Sequence, residues 1–393
     1  MRLLVRLAAA CSPFYRSWFR EAGVDPRSIR TVADLRRLPL LDRSDLAERA
    51  DEFRVYPRRL MWPAHSSGSS GRPITVYRTP GSSVYELAAL QRQWSWFGLP
   101  RVARRAVLRG SEASARPDAV AVPLPGTDDL LISSYHLVPE NLPTIMAVLR
   151  DFRPQVIQGW PSSIALLAAL LRDAGQQVPV SAIVTSSEVT SPLQRSVMRG
   201  VFTGPIVDHY GQAERVAMAG SCEAQGYHVF PDYGIVEFLP VEGTTDRWEI
   251  VGTALHNWGF PLFRYRTGDQ VGPAPQGRCP CGRPFPRLGP ISGRSVDMFT
   301  ATDGRPIPLP GAILDNLTGV REAQVLQRAP GRFEIRMVPG VGFDQEATEA
   351  RARGNLGRLV GPGQRLTFQT MAQIPRAPNG KFKPVTVQPD PPE

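Results

Sequence analysis

Lysine is nearly missing from this 393-residue sequence, which has 44 arginines and only two lysines, Lys381 and Lys383. The arginines give a net charge of +10, yet they are scattered and form no block of five or more like charges. A basic tail or stripe of the kind that binds nucleic acid is therefore not indicated. A positive surface of this kind would still attract phosphorylated ligands.

Cysteines and long apolar runs are scarce as well. Four cysteines in the whole chain argue against a disulfide-stabilised scaffold, and no run approaches the roughly 20 apolar residues of a transmembrane helix. The first residues, MRLLVRLAAAC, imitate a signal peptide only briefly, because Arg6 interrupts the apolar core and a charged amphipathic helix follows. We expect a cytoplasmic protein outside the membrane, with Cys11 as a free thiol in its core.

The sequence HSSGSSGRPITVYRT contains the main ligand-binding signal. Small residues let backbone N–H groups curve around an anion, serine hydroxyls add donors, and an arginine adds a fixed positive charge. This composition predicts a loop that binds nucleotide phosphates, although it does not fit the Walker pattern with its Gly-Lys-Ser/Thr ending. A plain flexible loop is the alternative interpretation. The residues concerned are Ser66, Ser67, Gly68, Ser69, Ser70, Gly71 and Arg72.

Helices and strands are predicted to alternate between residues 141 and 211. The helices are expected at 141–151, 161–173 and 191–202, and the strands at 155–158, 182–186 and 205–209. This alternation indicates βαβ units and a parallel sheet, and ligands collect at the carboxyl ends of such strands. A binding site is therefore expected at those ends. They carry Gly159, Trp160, Ser187, Glu188, Tyr210, Gly211, Gln212, Ala213 and Glu214.

The remaining segments suggest two domains in an α/β chain. A core-facing helix is predicted over 82–98 from the spacing of Val84, Leu87, Leu90, Trp94 and Phe97. A large domain is expected over 1–297, and a small α+β domain over 298–393. The small domain is predicted to contain helices near 310–318 and 344–358 and strands at 323–328, 333–338 and 365–371.

Asp269 is a candidate ligand-binding residue in the β-rich region 234–275. It follows an apolar and aromatic run, and the preceding glycine predicts a strand end or turn. An aspartate beside glycine most often holds a turn, but it could also bind two neighbouring hydroxyls of a ribose. Both interpretations remain open from the residues alone.

The two lysines lie together in IPRAPNGKFKPV, residues 374–385. The proline and Asn-Gly residues predict a turn that presents Lys381. A chain that uses arginine nearly everywhere else suggests that this position requires a compact ammonium, which a planar guanidinium cannot imitate. Chance placement in a solvated turn is the alternative.

The cysteines suggest a metal site. Cys222, His228, Cys279 and Cys281 together make a complete tetrahedral set of zinc ligands. Cys279 and Cys281 are too close in sequence to favour a disulfide with each other. Because the spacing within each pair is irregular, reduced buried cysteines are the alternative.

Six motifs occur in the order and approximate spacing found in the adenylate-forming enzymes. They are HSSGSSGRP, DHYGQAE, FRYRTGD, CPCGR, GRSVDMF and IPRAPNGK. Over nearly its whole length the chain resembles this superfamily, and most closely the branch of phenylacetate–CoA ligases and CapK-type proteins. The resemblance implies a large N-terminal adenylation domain, with parallel βαβ units and a β-rich subdomain, followed by a small mobile α+β domain.

The resemblance also implies roles for individual residues. Glu214 would hold Mg²⁺, Asp269 would bind the ribose with Arg294 nearby, Asp297 would be the hinge, and Lys381 would stabilise the carboxylate and α-phosphate. Zinc ligands occur in some relatives at the positions of the three cysteines and His228 named above. The residues expected to wrap the ATP phosphates are Ser66 to Gly71 and Arg72, and those expected at the adenine are Ser187, Glu188, Tyr210 and Gly211.

Two departures from the family pattern concern different parts of the expected reaction. Ser69, Ser70 and Arg72 replace the usual Thr-Thr and Lys of the phosphate loop, which is a mild change in an arginine-rich chain. Residues 300–310 replace a run that helps form the second-step conformation and the acceptor tunnel in relatives. The resemblance therefore specifies adenylation more closely than it specifies the acceptor.

We therefore expect an ATP- and Mg²⁺-dependent ligase that converts a small carboxylic acid to an acyl-adenylate and transfers the acyl group to CoA. Transfer to a carrier-protein thiol or an amine, as in biosynthesis of secondary metabolites, is the main alternative. A zinc-stabilised nucleic-acid-binding protein is a distant one. An aromatic acid would suit pocket walls formed by Tyr135, His136, Trp160 and Ala213. The protein could be a monomer or a homodimer.

Overall fold

The computed structural model describes residues 1–65, 74–109, 119–294, 299–304, 306–307, 310–361, 363–376 and 382–389. By their mutual contacts the residues divide into two units, 1–101 with 209–293, and 102–208 with 294–393. The expected domain boundary after Asp297 lies outside the described residues, so the division into 1–297 and 298–393 stays a prediction.

The α-helices follow the predicted pattern closely. They are α1 (Arg2–Cys11), α2 (Pro13–Glu21), α3 (Arg43–Arg49), α4 (Pro80–Trp96), α5 (Leu142–Phe152), α6 (Pro161–Asp173), α7 (Pro192–Arg199) and α8 (Gln345–Val360). Proline near the first position and an N-cap serine or threonine begin α2, α4 and α7, as expected where the first N–H groups have no partner within the helix.

The first two strands pair with each other in a sheet of their own, and the next eight strands belong to the main sheet. They are β1 (Trp62–His65), β2 (Thr75–Arg78), β3 (Arg105–Arg109), β4 (Ala121–Pro123), β5 (Asp129–Ser133), β6 (Val156–Gly159), β7 (Ala182–Ser186), β8 (Ile206–Gly211), β9 (Met218–Ser221) and β10 (Tyr227–Val229). The strands predicted at 155–158, 182–186 and 205–209 correspond to β6, β7 and β8.

The strands of the second half belong to smaller sheets or edges. They are β11 (Gly234–Pro240), β12 (Trp248–Ala254), β13 (Tyr265–Val271), β14 (Arg287–Leu288), β15 (Ile291–Arg294), β16 (Phe299–Thr300), β17 (Pro306–Ile307), β18 (Val320–Ala329), β19 (Arg332–Pro339), β20 (Arg365–Thr370) and β21 (Val385–Val387).

The unit of 102–208 and 294–393 contains the parallel sheet. Its strands lie in the order β8-β7-β6-β3-β5-β4, with β3 parallel to β5 and β6, and β6 parallel to β7. Helix α6 lies against this sheet and is buried all round from Pro161 to Leu171, as its nearly continuous apolar sequence requires. The expected α/β fold class with parallel βαβ units is confirmed.

The described residues between 299 and 389 in the same unit form an α+β element. Its sheet has the order β20-β19-β18-β21, with β18 antiparallel to β19. Its own core contains Phe299, Val325, Ile335 and Leu356 among others. The predicted strands and the predicted helix 344–358 are confirmed, and a short 3₁₀ helix, Pro310–Leu314, stands where the other helix was predicted.

The other unit joins the N-terminal helices to antiparallel sheets. Strands β8 to β10 and β14 are antiparallel neighbours, and β11, β12, β13 and β15 form a second sheet. Tyr15 donates its hydroxyl to the carbonyl of Pro261 at 2.9 Å. The backbone of Leu41 pairs with Arg264 and Arg266, which brings the start of α3 beside β13.

The prediction for α4 was right for Trp94, which is buried, and wrong for Val84 and Leu87. Val84 is 68% exposed and Leu87 is 52% exposed. The helix packs instead through small residues and Gln93, whose side-chain amide donates to the carbonyl of Ser221 at 3.1 Å. Gly220 makes this possible, because a Cβ there would lie 2.6 Å from Gln93. The N-terminal part of the apolar stripe, Val84 and Leu87, is therefore a surface feature, whereas Trp94 belongs to the core.

Two further expectations need correction. Cys11 is exposed at the end of α1, because the buried face of that helix is formed by Leu4, Val5 and Ala8. Asp269 lies inside β13, and neither at a strand end nor in a terminal turn. The pairing of β12 with β13 shifts register between Glu249 and Val251, so the extra residues around Asp269 bulge from the strand.

Leu167 offers a test of the packing around α6, since its side chain is fully buried in the core of the parallel sheet. We expect Leu167→Ala to lower the free energy of unfolding by about 2–5 kcal/mol through lost burial and a cavity. The apparent thermal unfolding midpoint measures this. Leu3→Ala, at a 67% exposed position, should leave the midpoint unchanged; equal shifts in both variants would contradict the buried position of α6.

Candidate active site

Tyr210 and Asp269, two of the expected nucleotide-binding residues, contact each other in the structure. The Tyr210 hydroxyl donates to Asp269 Oδ2 at 2.8 Å. The backbone N–H of Asp269 donates to the Thr267 hydroxyl at 3.1 Å, which holds the bulged segment in place. Burial, followed by the Asp269 charge, raises the pKa of Tyr210 well above its usual value. The phenol therefore stays protonated and orients the carboxylate.

Glu214 is a buried carboxylate held mainly through one oxygen. Its Oε1 accepts a hydrogen bond from the Tyr265 hydroxyl at 2.9 Å and lies 3.6 Å from Arg43 Nη1. Its Oε2 is buried and has no hydrogen-bond partner among the described residues. A buried carboxylate oxygen without a donor is unfavourable unless a cation or water meets it. The arrangement therefore suits a carboxylate that binds a cation.

A second buried network lies beside Ala213 and was not predicted from the sequence. Arg78, at the end of β2, donates to the Ala213 carbonyl at 3.0 Å. Arg215 forms an ion pair with Glu86 of α4 at 3.0 Å, and the Tyr233 hydroxyl donates to the same carboxylate. These partners are far apart in sequence, so no local pattern could have paired them.

His256 belongs to the same buried network. Its ring stacks on Tyr85 with centroids 5.0 Å apart and lies 4.2 Å from the Tyr233 ring. Burial, and to a lesser degree the charge of Arg215, lower its pKa to about 4. The imidazole is therefore neutral at physiological pH and serves as an aromatic wall.

Ser187 and Glu188, which were expected to border the adenine, follow the end of strand β7 in the parallel sheet. Ser187 follows β7 with a φ of +69°, a left-handed conformation that is uncommon for non-glycine residues and frequent at ligand sites. The next residue, Glu188, accepts a hydrogen bond at 3.0 Å from the backbone N–H of Ser162, in the first turn of α6. This bond fixes the β7 end against the start of α6.

The expected pocket residues of this unit lie near the same strand ends. Trp160 is the half-buried N-cap residue of α6. His136 contacts the Ser133 hydroxyl through Nδ1 at 2.8 Å, whereas Tyr135 is 41% exposed. Their role as walls of a substrate pocket stays a prediction.

Several expected residues lie outside the described part of the chain. They are the phosphate loop Ser66, Ser67, Gly68, Ser69, Ser70, Gly71 and Arg72, the hinge Asp297, and the catalytic candidate Lys381. Arg294 ends β15, and its backbone alone is described. Gly211 ends β8 as predicted.

The three cysteines and His228 form one cluster. The metal-ligating atoms of Cys222, His228, Cys279 and Cys281 all lie within 4.8 Å of one another. Cys222 Sγ is 3.6 Å from Cys279 Sγ, and Cys281 Sγ is 3.3 Å from His228 Nε2. Tetrahedral zinc with ordinary bond lengths requires about 3.8 Å between sulfurs and about 3.6 Å between sulfur and nitrogen. These two contacts lie near the separations that one such ion requires.

The surroundings of the cluster orient the histidine and shift the pKa values of two of the cysteines in opposite directions. His228 Nδ1 lies 2.9 Å from the carbonyl of Phe285, so Nδ1 carries the proton and Nε2 faces the cysteines with its lone pair. Burial raises the pKa of Cys222 to about 11. Burial also acts on Cys281, but the Arg283 backbone N–H and neighbouring groups outweigh it and lower that pKa to about 6.

Comparison with known proteins shows which proteins are similar to this chain in sequence. It is 27% identical over 417 residues to a phenylacetate-coenzyme A ligase of Thermus thermophilus, spanning 95% of this chain and 91% of that protein. It is 21% identical to protein CapK of Staphylococcus aureus, with 94% and 84% covered. No protein-family model matches the chain.

A solved structure agrees with the fold. A crystal structure of 2-hydroxyisobutyryl-CoA ligase in the postadenylation state with R3-HIB-AMP matches with a TM-score of 0.74 at 19% identity, covering 99% of this chain and 88% of that one. The resemblance to adenylate-forming enzymes, and to the branch of phenylacetate–CoA ligases and CapK, is confirmed. None of the described helices is both long enough and apolar enough to cross a membrane.

The hydrogen bond from Tyr265 to Glu214 generates a test. Tyr265→Phe keeps the buried ring but removes the donor, so we expect a loss of about 1–3 kcal/mol in stability from the unsatisfied carboxylate. Thermal unfolding measures it. Tyr56→Phe is the control, since the Tyr56 hydroxyl bonds to no described residue. A Tyr265→Phe midpoint equal to wild type would contradict the description of Glu214.

Proposed function

We propose that this chain is an ATP-dependent ligase that activates a carboxylic acid as an acyl-adenylate and passes the acyl group to CoA. In the first step a carboxylate oxygen attacks the α-phosphorus of ATP, and pyrophosphate leaves. In the second step the CoA thiolate attacks the acyl carbon, and AMP leaves. The main supporting observation is the buried Glu214, in a chain similar along nearly its whole length to a phenylacetate-coenzyme A ligase.

The proposed first step needs positive charge where the reacting anions meet. Glu214 fits Mg²⁺, because its buried Oε2 lacks a hydrogen-bond partner among the described residues while Tyr265 and Arg43 hold Oε1. A bound Mg²⁺ would neutralise charge on the phosphate oxygens. Lys381 is proposed to stabilise the same charge with an ammonium, and the loop from Ser66 to Arg72 is proposed to bind the phosphates.

The nucleoside is proposed to lie at the strand ends. Asp269, oriented by the Tyr210 hydroxyl, would accept hydrogen bonds from the ribose hydroxyls, with Arg294 nearby. Ser187, Glu188 and Tyr210 would border the adenine, and Gly211 is a further proposed nucleotide-binding residue. Asp297 is proposed as the hinge between a large domain and a mobile small domain, in keeping with conformational steps in multistep enzymes.

The proposal also extends to the kind of carboxylic acid that is activated and to the acceptor of the acyl group. An aromatic acid suits walls formed by Tyr135, His136, Trp160 and Ala213, and the Thermus relative is a ligase for phenylacetate. The same relative favours CoA over a carrier-protein thiol or an amine. We further propose a cytoplasmic enzyme, where ATP and CoA are available, acting as a monomer or homodimer without nucleic acid.

Pyrophosphate exchange into ATP, measured across a panel of aryl and alkyl carboxylic acids, tests the adenylation step. We expect exchange that depends on the acid and on Mg²⁺. Lys381→Ala and Lys381→Arg should both lower it by about 10²–10³, as for loss of one preorganised charge, because a guanidinium does not replace the ammonium. Lys383→Arg is the matched control at the only other lysine and should exchange at close to the wild-type rate.

Two results would contradict this proposal. Folded protein that neither binds ATP nor exchanges pyrophosphate with any acid would exclude adenylation. Equal losses in Lys381→Arg and Lys383→Arg would exclude a special role for the Lys381 ammonium. If exchange occurs but free CoA accepts no acyl group while an amine or carrier protein does, the acceptor part of the proposal is wrong and adenylation stands.

We also propose that the cysteine and histidine cluster binds one structural zinc ion. All four ligand positions are filled by protein, which is typical of structural sites and leaves no position for substrate. Cys222 and His228 lie around β10, whereas Cys279 and Cys281 precede β14. The ion would therefore tie two edge segments of one unit together.

Metal analysis tests the zinc proposal. We expect one zinc per chain in wild type, and loss of it in Cys281→Ser and His228→Ala, with lower unfolding midpoints because metal binding contributes to folding. Cys11→Ser is the control, since Cys11 lies on the surface outside the cluster. Wild-type protein expressed with ample zinc that retains none, and unfolds at the same temperature as Cys281→Ser, would contradict the site.

A further inference from the structure

Arg78 is a half-buried arginine whose guanidinium has no carboxylate partner. Its Nη2 donates to the Ala213 carbonyl at 3.0 Å, and its Nε is buried and bonds to no described residue. Arg215, Arg264 and Arg376 each form an ion pair with a glutamate. Among the described residues, no carboxylate lies within ion-pair distance of Arg78. Because a charge that leaves water without a partner is unfavourable, this guanidinium lacks a compensating anion.

The residues around Arg78 do not supply that anion. Burial lowers the pKa of Arg78, the charge of Arg215 adds to this effect, and the charges of Glu86 and Glu214 oppose it less strongly. Glu86 is already held by Arg215, whose Nε lies 3.0 Å from Glu86 Oε2, and by the Tyr233 hydroxyl. Burial, followed by the charge of Glu86, raises the pKa of Tyr233 well above its usual value, so this phenol is neutral. Two guanidinium groups therefore share the one carboxylate of Glu86.

His256 adds unsatisfied hydrogen-bonding groups to the same network. Its Nδ1 and Nε2 are both buried, and neither bonds to a described residue. Buried polar groups normally have partners, and a neutral imidazole has one donor and one acceptor. The ring contacts those of Tyr85 and Tyr233. Aromatic faces combined with a few unsatisfied polar atoms are typical of a site for a small organic molecule.

Arg78 lies away from the phosphate loop. In the β1–β2 pair, His65 and Thr75 are the paired residues nearest that loop. Arg78 lies opposite Trp62 at the other end of the pair, about 10 Å along the strand from Thr75. Its hydrogen bond joins it instead to Ala213, the expected pocket residue that belongs to this unit. This position favours the acid substrate over the ATP phosphates as the source of the anion.

We propose that Arg78 binds a second anionic group of the acid substrate, so that the enzyme activates one carboxylate of a dicarboxylic acid while Arg78 holds the other. The inference rests on the proposed function, because it names the class of acid for that reaction. The Nε–H and a neighbouring N–H of the guanidinium fit the two oxygens of a carboxylate. Arg78 is thus a specificity-determining residue that touches the substrate away from the reacting atoms.

A purely structural role for Arg78 is the competing explanation. Its hydrogen bond to the Ala213 carbonyl fixes the backbone immediately before Glu214, and losing that bond would slow the activation of every acid by the same factor. A subsite for a second carboxylate instead affects dicarboxylic acids more than monocarboxylic ones. The ratio of the two rates therefore separates the explanations.

Pyrophosphate exchange with matched acids tests the subsite. The members of each pair differ by one carboxylate: phenylacetate is compared with its ring-carboxylated derivatives, and pentanoate with glutarate. We expect wild type to use at least one dicarboxylate with a kcat/KM about tenfold to a hundredfold above that of its monocarboxylate, as for a hydrogen-bonded pair of charged groups. Arg78→Met keeps the length of the side chain but not its charge, so the preference should disappear.

Arg78→Lys is the conservative variant. It keeps the charge without the planar fork and should retain part of the preference. If Arg78→Met does not fold, Arg78→Lys decides, because a reduced preference supports the proposed contact and an unchanged preference contradicts it.

Arg49→Met is the matched control. Arg49 is half-buried in the same unit, lies over the Phe14 ring and is paired with Glu52 through two hydrogen bonds. Its replacement removes a guanidinium that contacts neither Arg78 nor Ala213, so the wild-type preference should remain. Equilibrium dialysis of ATP without acid should give equal affinities for wild type and Arg78→Met.

Each result decides the proposal. Equal kcat/KM values for both members of every pair in wild type overturn the subsite. Arg78→Met that lowers both members of a pair by the same factor shows a structural role, and Arg78→Met that loses ATP binding assigns the guanidinium to the phosphates; either result overturns the subsite.

Failure of the proposed function gives a different result. If no acid supports exchange in wild type, that function is wrong, and isothermal titration calorimetry with the same dicarboxylates alone decides the subsite. Binding that Arg78→Met abolishes and Arg49→Met retains supports a dicarboxylate site at Arg78. Absence of binding to wild type overturns it.

Discussion

Two carboxylates in the interior of this protein, Glu237 and Glu322, are held by guanidinium groups. Glu237 accepts two hydrogen bonds from Arg264 at 2.9 and 3.1 Å, and Glu322 is paired with Arg376 in a nearly dry environment. A buried charge is tolerated only where its partner is close and well oriented. The planar fork of arginine supplies that orientation better than lysine does. The scarcity of lysine thus matches the way the structure uses positive charge.

The carboxylates of the candidate site are held in a different way. Glu214 and Asp269 are each oriented by a tyrosine hydroxyl rather than neutralised by a bidentate arginine. A phenol fixes the direction of a carboxylate and leaves its charge in place. This is what a carboxylate needs if it is to bind a cation or sugar hydroxyls. Tyrosines 210 and 265 therefore matter as much to the proposed chemistry as the acids they hold.

The sequence was sufficient to predict the helices and strands, but it was insufficient to predict contacts between residues that are distant in sequence. The alternation that predicts β6, α6 and β7 is local, so these elements lie within a few residues of their expected positions. The metal cluster could be expected from the residue types and the family resemblance, whereas the Tyr210–Asp269 contact was not predicted. The pairing of Arg215 with Glu86 depends on how α4 packs, and the apolar spacing of that helix predicted burial correctly for Trp94 but not for Val84 and Leu87. Gly220 leaves the space in which the Gln93 side chain packs. A single glycine in another strand adds nothing to the apolar periodicity of α4, so this packing could not be predicted from that pattern.

The most direct test of the central claim follows an oxygen atom. Single-turnover reaction of the enzyme with Mg²⁺, ATP and an acid labelled with ¹⁸O in its carboxylate, followed by transfer to CoA, is analysed by mass spectrometry of the products. If the carboxylate attacks the α-phosphorus, one ¹⁸O appears in AMP and none in pyrophosphate. Label found in inorganic phosphate with ADP as the nucleotide product, or acyl-CoA formed with no label in AMP, would contradict the acyl-adenylate.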